Sequence, residues 1–580
     1  MNTIQANPAI IAAQVAQAKV EACLDERKSF RLEAGAGSGK TYSLVAALRK
    51  VISEQGRSLV RAGQRVACIT YTEVARDEIA TEVEDHPAIL VQTIHAFSWS
   101  FIAPFQPAIR SVLSDLESRM DAIKEAGGIG NRPITYDHGF FRITDNEISL
   151  GHDDVPVILA KLLSIQKFKR LLTQQFPIIF IDEYQDTNRH FMISLETNVF
   201  NNNGGPIVGL FGDHWQTIYQ SEYELAAYSV IGIDKGCNFR SAQPIVDVLN
   251  RLRPELPQVV SDPHLPGEAR FFHTNLYEGQ RTQTSHSKND LPPEIAKSAM
   301  ANLRVRLENE GWAREKTKVL MLTHSALAAE QGYPGIVEVF KGRNDQFAKK
   351  EDPVIQLLAE TVEPMCAAYS SGNYGEMFRI YGGGPAIRCH KDKVAWRSDM
   401  DQLLKLRREG TIGQVIDHLK NTNRPPLTSR ITKREDDLAA LNGEPIPEEM
   451  GSLIRHAGLR NVPYVEVVEA VRFIDGFTPF ATQHSVKGAE FQNVLVVLGG
   501  GWNHYNWPQL FEQLSSENVE KKHLKAYYRS RNLFYVSISR PMTRLAVLAT
   551  QTLSDSALNA VTYLFGSSRV IELPSSQLGK

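Results

Sequence analysis

Short runs of apolar and β-branched residues recur along the chain, and most are followed by a stretch with helical spacing of its apolar positions. Phe30–Glu33, Arg65–Thr70, Pro177–Ile181 and Pro206–Phe211 form one group. Lys318–Thr323 and Val494–Leu498 belong to a second group that finishes near the far end of the chain. Apolar runs this short, alternating with helices, predict parallel sheets covered on both faces, and hence an α/β fold. Each group is interrupted by a longer, polar, mostly helical stretch. The pattern predicts a first core from residues 1–97 and 176–245 and a helical insertion at 98–175. A second core would take residues 246–340 and 472–580, with a second insertion at 341–471. A chain of 580 residues is too long for one hydrophobic core, which agrees with this division.

Composition narrows the class. Apolar residues at 42% and charged residues at 22% are those of a globular protein. No apolar run has bilayer-spanning length, and Met1–Ala18 has neither a basic start nor a cleavage site, so a cytoplasmic protein without membrane contact is expected. The five cysteines, Cys23, Cys68, Cys237, Cys366 and Cys389, form no C-x-x-C pair, which argues against zinc, iron–sulfur and disulfide frameworks. The formal charge of −2 means that any nucleic acid must lie in a local groove. The stretch Arg388–Arg434 is rich in Lys and Arg, and reads either as a solvated helical face or as a DNA contact.

Two motifs carry chemistry. After Phe30–Glu33 comes Ala34-Gly35-Ala36-Gly37-Ser38-Gly39-Lys40-Thr41 and then a helical pattern from Tyr42 to Val51. Glycines let successive N–H groups converge on a phosphate, and the helix N-terminus adds positive potential there. Lys40 would reach the β- and γ-phosphates of a nucleoside triphosphate, and the Thr41 hydroxyl would ligate Mg²⁺; the loop by itself indicates only an NTPase. The second motif follows Pro177–Ile181: Asp182-Glu183-Tyr184-Gln185-Asp186-Thr187-Asn188. Carboxylates at the carboxyl end of a buried parallel strand sit where ligands bind in open α/β sheets. Asp182 suits the Mg²⁺ shell, and Glu183 is placed to orient and deprotonate an attacking water.

The wording of that acidic box resembles the UvrD/Rep type of superfamily 1 DNA helicase, and further motifs follow in the family's order from about residue 14 to 545. Ile69-Thr70-Tyr71-Thr72 and Thr93-Ile94-His95-Ala96-Phe97 resemble segments that contact single-stranded DNA. Phe211-Gly212-Asp213-His214-Trp215-Gln216-Thr217-Ile218-Tyr219 is similar to the motif that couples the two sites; the likeness implies that Gln216 senses the γ-phosphate and Tyr219 stacks on a base. Asn238-Phe239-Arg240-Ser241 resembles the element whose aromatic packs on adenine and whose arginine binds the γ-phosphate. Gln483-His484-Ser485-Val486-Lys487-Gly488-Ala489-Glu490-Phe491 and Tyr535-Val536-Ser537-Ile538-Ser539-Arg540 look like the family's last two motifs. By resemblance His484 joins the DNA contacts, Glu490 joins the nucleotide site and Arg540 is the arginine finger.

The resemblance implies two RecA-like motor domains and an ATP- and Mg²⁺-dependent 3′→5′ helicase or translocase on single-stranded or tailed DNA. Three departures bear on that expectation. The family's adenine-reading glutamine has only Gln14 or Gln17 to match it. The Gly-Trp-Arg-Gly that follows in the family is Gln220-Ser221-Glu222-Tyr223 here, and the first insertion is short. A compact chain of this kind also resembles the helicase-like subunit of Gabija-type anti-phage systems, which implies a nuclease partner. A DNA-end or nucleotide-state sensor that regulates such a partner without processive unwinding therefore stands beside the motor, and an RNA helicase is a third option.

Overall fold

The computed structural model describes residues 7–136, 141–200, 204–217, 230–283, 288–321, 331–341, 347, 350–382, 387, 389–441, 443–474, 480–482, 486–500, 505–516 and 519–574. Two six-stranded parallel sheets organise the chain. The first contains β1 (Phe30–Ala34), β2 (Val66–Thr70), β3 (Ile89–Thr93), β4 (Ile178–Asp182), β5 (Ile207–Gly212) and β6 (Ile231–Lys235). Its spatial order is β3-β2-β4-β5-β1-β6. The second contains β7 (Glu268–His273), β8 (Thr317–Met321), β9 (Phe480–Thr482), β10 (Phe491–Leu498), β11 (Pro541–Ala549) and β12 (Val570–Glu572), in the order β9-β8-β10-β11-β7-β12.

Successive residues of the central strands enter opposite layers, as the two-residue period of a strand requires. Phe180 packs with Phe30, Leu32 and Phe211 beneath helices α1 (Pro8–Asp25) and α2 (Lys40–Arg61). Ile179 and Ile181 face the insertion helices on the other side. In β10, Val494, Val496 and Leu498 enter one cluster while Leu495 and Val497 enter another. Because both faces are covered, these strands read as continuous apolar runs rather than as alternations.

Helix α2 runs beyond the stretch expected from sequence, through Arg61, because Leu44, Leu48, Val51 and Leu59 keep one buried stripe. The first insertion contains a three-stranded sheet among its helices, made by Ile134–Tyr136, Arg142–Ile143 and Ile148–Leu150. Strands of two or three residues are too short to show a period. In the second insertion, Arg407 pairs with Glu363 at 2.8 Å, Arg424 with Asp399 at 2.5 Å and Arg434 with Asp352 at 3.0 Å. Part of the basic stretch therefore fastens helices to one another, while Lys391, Lys393, Lys405, Arg408, Arg430 and Lys433 are exposed. Among the described residues no helix is long and apolar enough to cross a membrane.

The cores touch directly. Helix α3 (Gln243–Leu252) packs on β7, and just before it the Ala242 N–H donates to Met542 O at 2.8 Å. Ala36, Trp215 and Ile245 of the first core pack into an apolar cluster otherwise built by the second. The carboxyl ends of β1, β4 and β5 open at this contact.

Candidate nucleotide site between the cores

Strand β1 ends at Ala34, and the loop Gly35–Gly39 turns into α2 at Lys40. Gly37 has φ of 74°, and a Cβ there would lie 2.8 Å from the Arg240 Cβ and 2.9 Å from Asn238 Oδ1. Glycine is thus required both by the backbone and by the neighbour. Asn238 Nδ2 donates to Ala36 O at 3.0 Å, and its Oδ1 accepts the N–H groups of Arg240 and Ser241. Gln258 Nε2 donates to the same Ala36 carbonyl. These amides pin the Phe239-Arg240 turn against the phosphate-type loop, leaving the Phe239 ring 44% exposed beside it. Ser38 Oγ is buried and makes no hydrogen bond.

Strand β4 delivers Asp182 and Glu183 opposite Lys40. Glu183 has φ of 49°, which turns its carboxylate onto the Lys40 ammonium, while Asp182 Oδ1 stands 3.8 Å from Lys40 Nζ. Burial pushes Asp182 above the usual carboxylate range, with the Glu183 charge adding to it against the pull of Lys40. Burial opposes the charge of Glu183 too. The Lys40 and Lys487 charges and hydrogen bonds from Lys40 and Gln185 outweigh it and hold Glu183 below that range. Asp182 Oδ1 is buried without a hydrogen bond, and the Thr41 hydroxyl belongs to the same loop-to-helix corner. The buried Asp182 oxygen left without a donor and the half-buried Thr41 hydroxyl on the first turn of α2 are hard oxygen donors of the kind a divalent cation such as Mg²⁺ takes.

The second core reaches across. Lys487 pairs with Asp186 of the acidic box and lies 3.6 Å from Glu183 Oε2. Tyr535 accepts a hydrogen bond from the Ala36 N–H at 3.1 Å and donates to Asp213 Oδ2 at 3.3 Å. Arg540 is 1% exposed and donates to Gln216 Oε1 at 3.2 Å, as well as to Val536 O and Ser539 Oγ. Burial, with the neighbouring Arg240 charge, pushes it down to about 9, and a guanidinium there keeps its proton at neutral pH. Arg240 pairs with Glu490 at 2.7 Å and donates to Ser539 O at 3.1 Å. Asp182, Glu183, Gln216, Arg240, Arg540 and Glu490 therefore gather around the loop where the two cores meet.

A second polar cluster lies behind it. Glu33, Asp213 and His214 hold oxygen and nitrogen atoms within 4.8 Å of one another, a spacing that suits a metal ion. A guanidinium already serves these acids: Arg253 lies 2.6 Å from Asp213 Oδ1 and 3.1 Å from Glu33 Oε1, over the rings of Trp215 and Tyr535. Tyr184 and His214 complete the shell of Glu33, at 2.7 and 2.6 Å. Gln216 Nε2 donates to Asp213 Oδ2 at 2.7 Å, so this cluster grips the same glutamine as Arg540. Sequence reasoning assigned no role to Glu33, Arg253, Tyr535 or Lys487. Lys487 and Tyr535 fall inside quoted motifs, whereas nothing in sequence marks Glu33 or Arg253.

The expected DNA contacts sit at the carboxyl ends of β2 and β3. Thr70 Oγ1 donates to Thr72 O, and Thr72 and Thr93 cap the helices that follow, accepting from Ala75 and Ala96 N–H. His95 stacks on His152 of the first insertion, with ring centroids 3.4 Å apart. Tyr219, Tyr223 and His484 lie outside the described residues. Gln14 is exposed on α1, while Gln17 donates to Glu21 at 3.3 Å and keeps its buried oxygen without a partner.

A strand–loop–helix cradle, carboxylates at the end of a parallel strand two places away in the same sheet, and an arginine reaching Gln216 from a second parallel-sheet core define a P-loop NTPase with two RecA-like cores. Residues 17–222 match the AAA domain family. The chain is 22% identical to Gabija protein GajB of Bacillus cereus (strain HuB5-5) over an alignment of 664 residues, which covers 92% of this chain and 94% of that protein. It is 24% identical over 275 residues to the ATP-dependent DNA helicase PcrA of Staphylococcus epidermidis, covering 38% of this chain and 37% of that protein. The likeness to UvrD/Rep-type helicases read from the motifs is borne out, and these relatives support a helicase or ATPase role in general.

Proposed function

We propose that the chain is a Mg²⁺-dependent, DNA-stimulated ATPase that moves 3′→5′ along single-stranded DNA, and that it works in anti-phage defence beside a nuclease partner. The observation that carries this reading is the convergence of Arg540 and Lys487, from the second core, on Gln216 and the acidic box of the first. In this reading the amides of Gly35, Ala36, Gly37, Ser38 and Gly39 with Lys40 hold the β- and γ-phosphates. Phe239 packs on adenine, and Glu490 belongs to the same nucleotide set. Thr41 and Asp182 would hold Mg²⁺, which when bound would neutralise phosphate charge. Glu183 accepts the proton of the attacking water once the phosphates draw Lys40 away from it. Gln216 reports the γ-phosphate, and Arg240 and Arg540 meet the charge that spreads over the transferred group. Arginine fingers contribute roughly 10³ to 10⁵ in rate.

Since those groups come from both cores, ATP would draw the cores together and hydrolysis would release them. Thr70, Thr72, Thr93, His95, Tyr219 and His484 would track the strand across the carboxyl edges of both sheets. A second reading has its own support. The alignment with the Gabija protein covers nearly the whole chain, whereas that with PcrA covers about a third, and Gln220–Tyr223 replaces the family's DNA-holding Gly-Trp-Arg-Gly. It is a sensor of DNA ends or nucleotide state that hydrolyses ATP slowly and regulates a nuclease. ATP turnover with single-stranded DNA, duplex and RNA, beside strand displacement on 3′- and 5′-tailed duplexes, separates the two. The motor predicts strong stimulation by single strands and displacement only with a 3′ tail. Stimulation without displacement selects the sensor, and no stimulation by any DNA overturns both the motor and the DNA-end sensor.

A further inference from the structure

Lys235 closes β6 directly beneath the phosphate-type loop and is 1% exposed. Its ammonium donates to the Gly39 carbonyl at 2.7 Å and to Ser43 Oγ, one turn into α2, at 2.8 Å. Both acceptors are neutral, and among the described residues no carboxylate pairs with it. A buried cation without an anion is costly, and such charges are retained where something else compensates them. Lys40, by contrast, rests on Glu183 and Asp182. A Cβ on Gly39 would lie 3.7 Å from Lys235 Nζ and 3.9 Å from the Phe239 ring, so this ammonium stands at the junction of the loop, its helix and the exposed aromatic.

We propose that Lys235 is a positioning residue of the nucleotide site, whose missing counter-ion is the polyphosphate of the bound nucleotide. It acts in two ways. By holding the Gly39 carbonyl and Ser43 it fixes the turn from which the loop N–H groups and the α2 N-terminus face the phosphates. As a cation in a poorly screened interior it attracts the phosphate charge through that turn, without touching it. The inference rests on the nucleotide-site reading above and adds a specificity to it: affinity graded by phosphate number rather than by the base.

Burial pushes Lys235 down to about 8, and the Cys237 thiol is the ionisable neighbour that pulls the other way. The sign follows from linkage. Without nucleotide, Lys235 loses its proton above about pH 8; a bound polyphosphate raises it again, so binding takes up a proton there and weakens as pH rises. The test compares wild type, Lys235→Met and Lys235→Arg for affinity toward ADP and adenosine at pH 7 and pH 9, with Lys40→Ala beside them. Wild type should bind ADP about tenfold more weakly at pH 9 than at pH 7, with adenosine unchanged. Lys235→Met should bind ADP weakly at both pH values and keep its adenosine affinity, and Lys235→Arg should restore ADP binding and abolish the pH step. Equal pH dependence in wild type and Lys235→Met, or equal losses for ADP and adenosine, overturns the proposal. If Lys235→Met does not fold, the wild-type comparison decides alone, and a flat ADP profile overturns it. ADP binding that depends on Lys40 but not on Lys235 leaves the nucleotide site standing and removes only this inference. ADP binding unaffected by Lys40→Ala removes the site itself.

Discussion

Arg540 and Lys235 share a condition that sets them apart from Lys40: each is a buried cation whose acceptors among the described residues are all neutral. For Arg540 the acceptor that matters is Gln216, because that bond joins the second core to the turn that follows β5. Arg540→Ala should lower the ATP turnover rate by a factor of 10³ or more, on the order of an arginine finger, and weaken ATP binding far less. Steady-state kinetics checks this, and a change confined to KM would remove the finger role. Residues of this kind were legible in sequence only where a motif carried them. Arg540, Arg240 and Glu183 stand in recognisable strings, but a lysine or arginine elsewhere reads as surface by default. Burial of Lys235 and Arg253 depends on what the chain folds over them, which no local pattern records.

At the scale of elements, the strands that show in sequence are those covered on both faces. Pro177–Ile181 and Val494–Leu498 read clearly for that reason. Edge strand β6 does not: Ile231, Gly232 and Asp234 are exposed on it, and the mixture of glycine, acid and lysine resembles a loop. The joint between elements is equally silent. Arg253, just past α3, ties Glu33 near the end of β1 and Asp213 just past β5 to the second core. Removing the guanidinium leaves two buried carboxylates facing each other, so Arg253→Met should cost about 3–5 kcal/mol of stability. In Glu33→Gln/Arg253→Met the loss should fall short of the sum of the two single changes by about 1–3 kcal/mol. Denaturant unfolding of all four proteins reads that coupling, and strict additivity would show that the cluster is not one unit.

For the whole molecule, the two-core plan was legible because apolar runs cluster in two groups, while the way the cores face each other was not. Lys487 and Asp186 are 301 positions apart, and no spacing rule connects them. That contact touches the residue proposed as the base, since Lys487 also lies 3.6 Å from Glu183. Glu183→Gln should bind ATP and turn it over at least 10²-fold more slowly, the low end for losing a general base. Because ATP then stays in the cleft, the cores should remain drawn together, and single-strand affinity in ATP should exceed that of wild type. Fluorescence titration of a labelled oligonucleotide with and without ATP measures it; equal affinities in the two conditions would separate cleft closure from the DNA path.

The order of the second sheet has a consequence for how the chain is made. Strand β7 pairs on both edges, but its partners are β11 and β12, and its Phe271 and Phe272 belong to the finished interior. On a ribosome, about 270 residues must emerge after β7 before β11 arrives, roughly 14–55 s at 5–20 residues per second. The first sheet closes far earlier, once β6 has followed β1. A nascent chain therefore carries a finished phosphate-type loop alongside an apolar strand with two open edges, a template for mispairing with neighbouring chains. Slow synthesis or crowded expression should penalise this half of the molecule first, and a chaperone that shields residues near 268–273 would protect it.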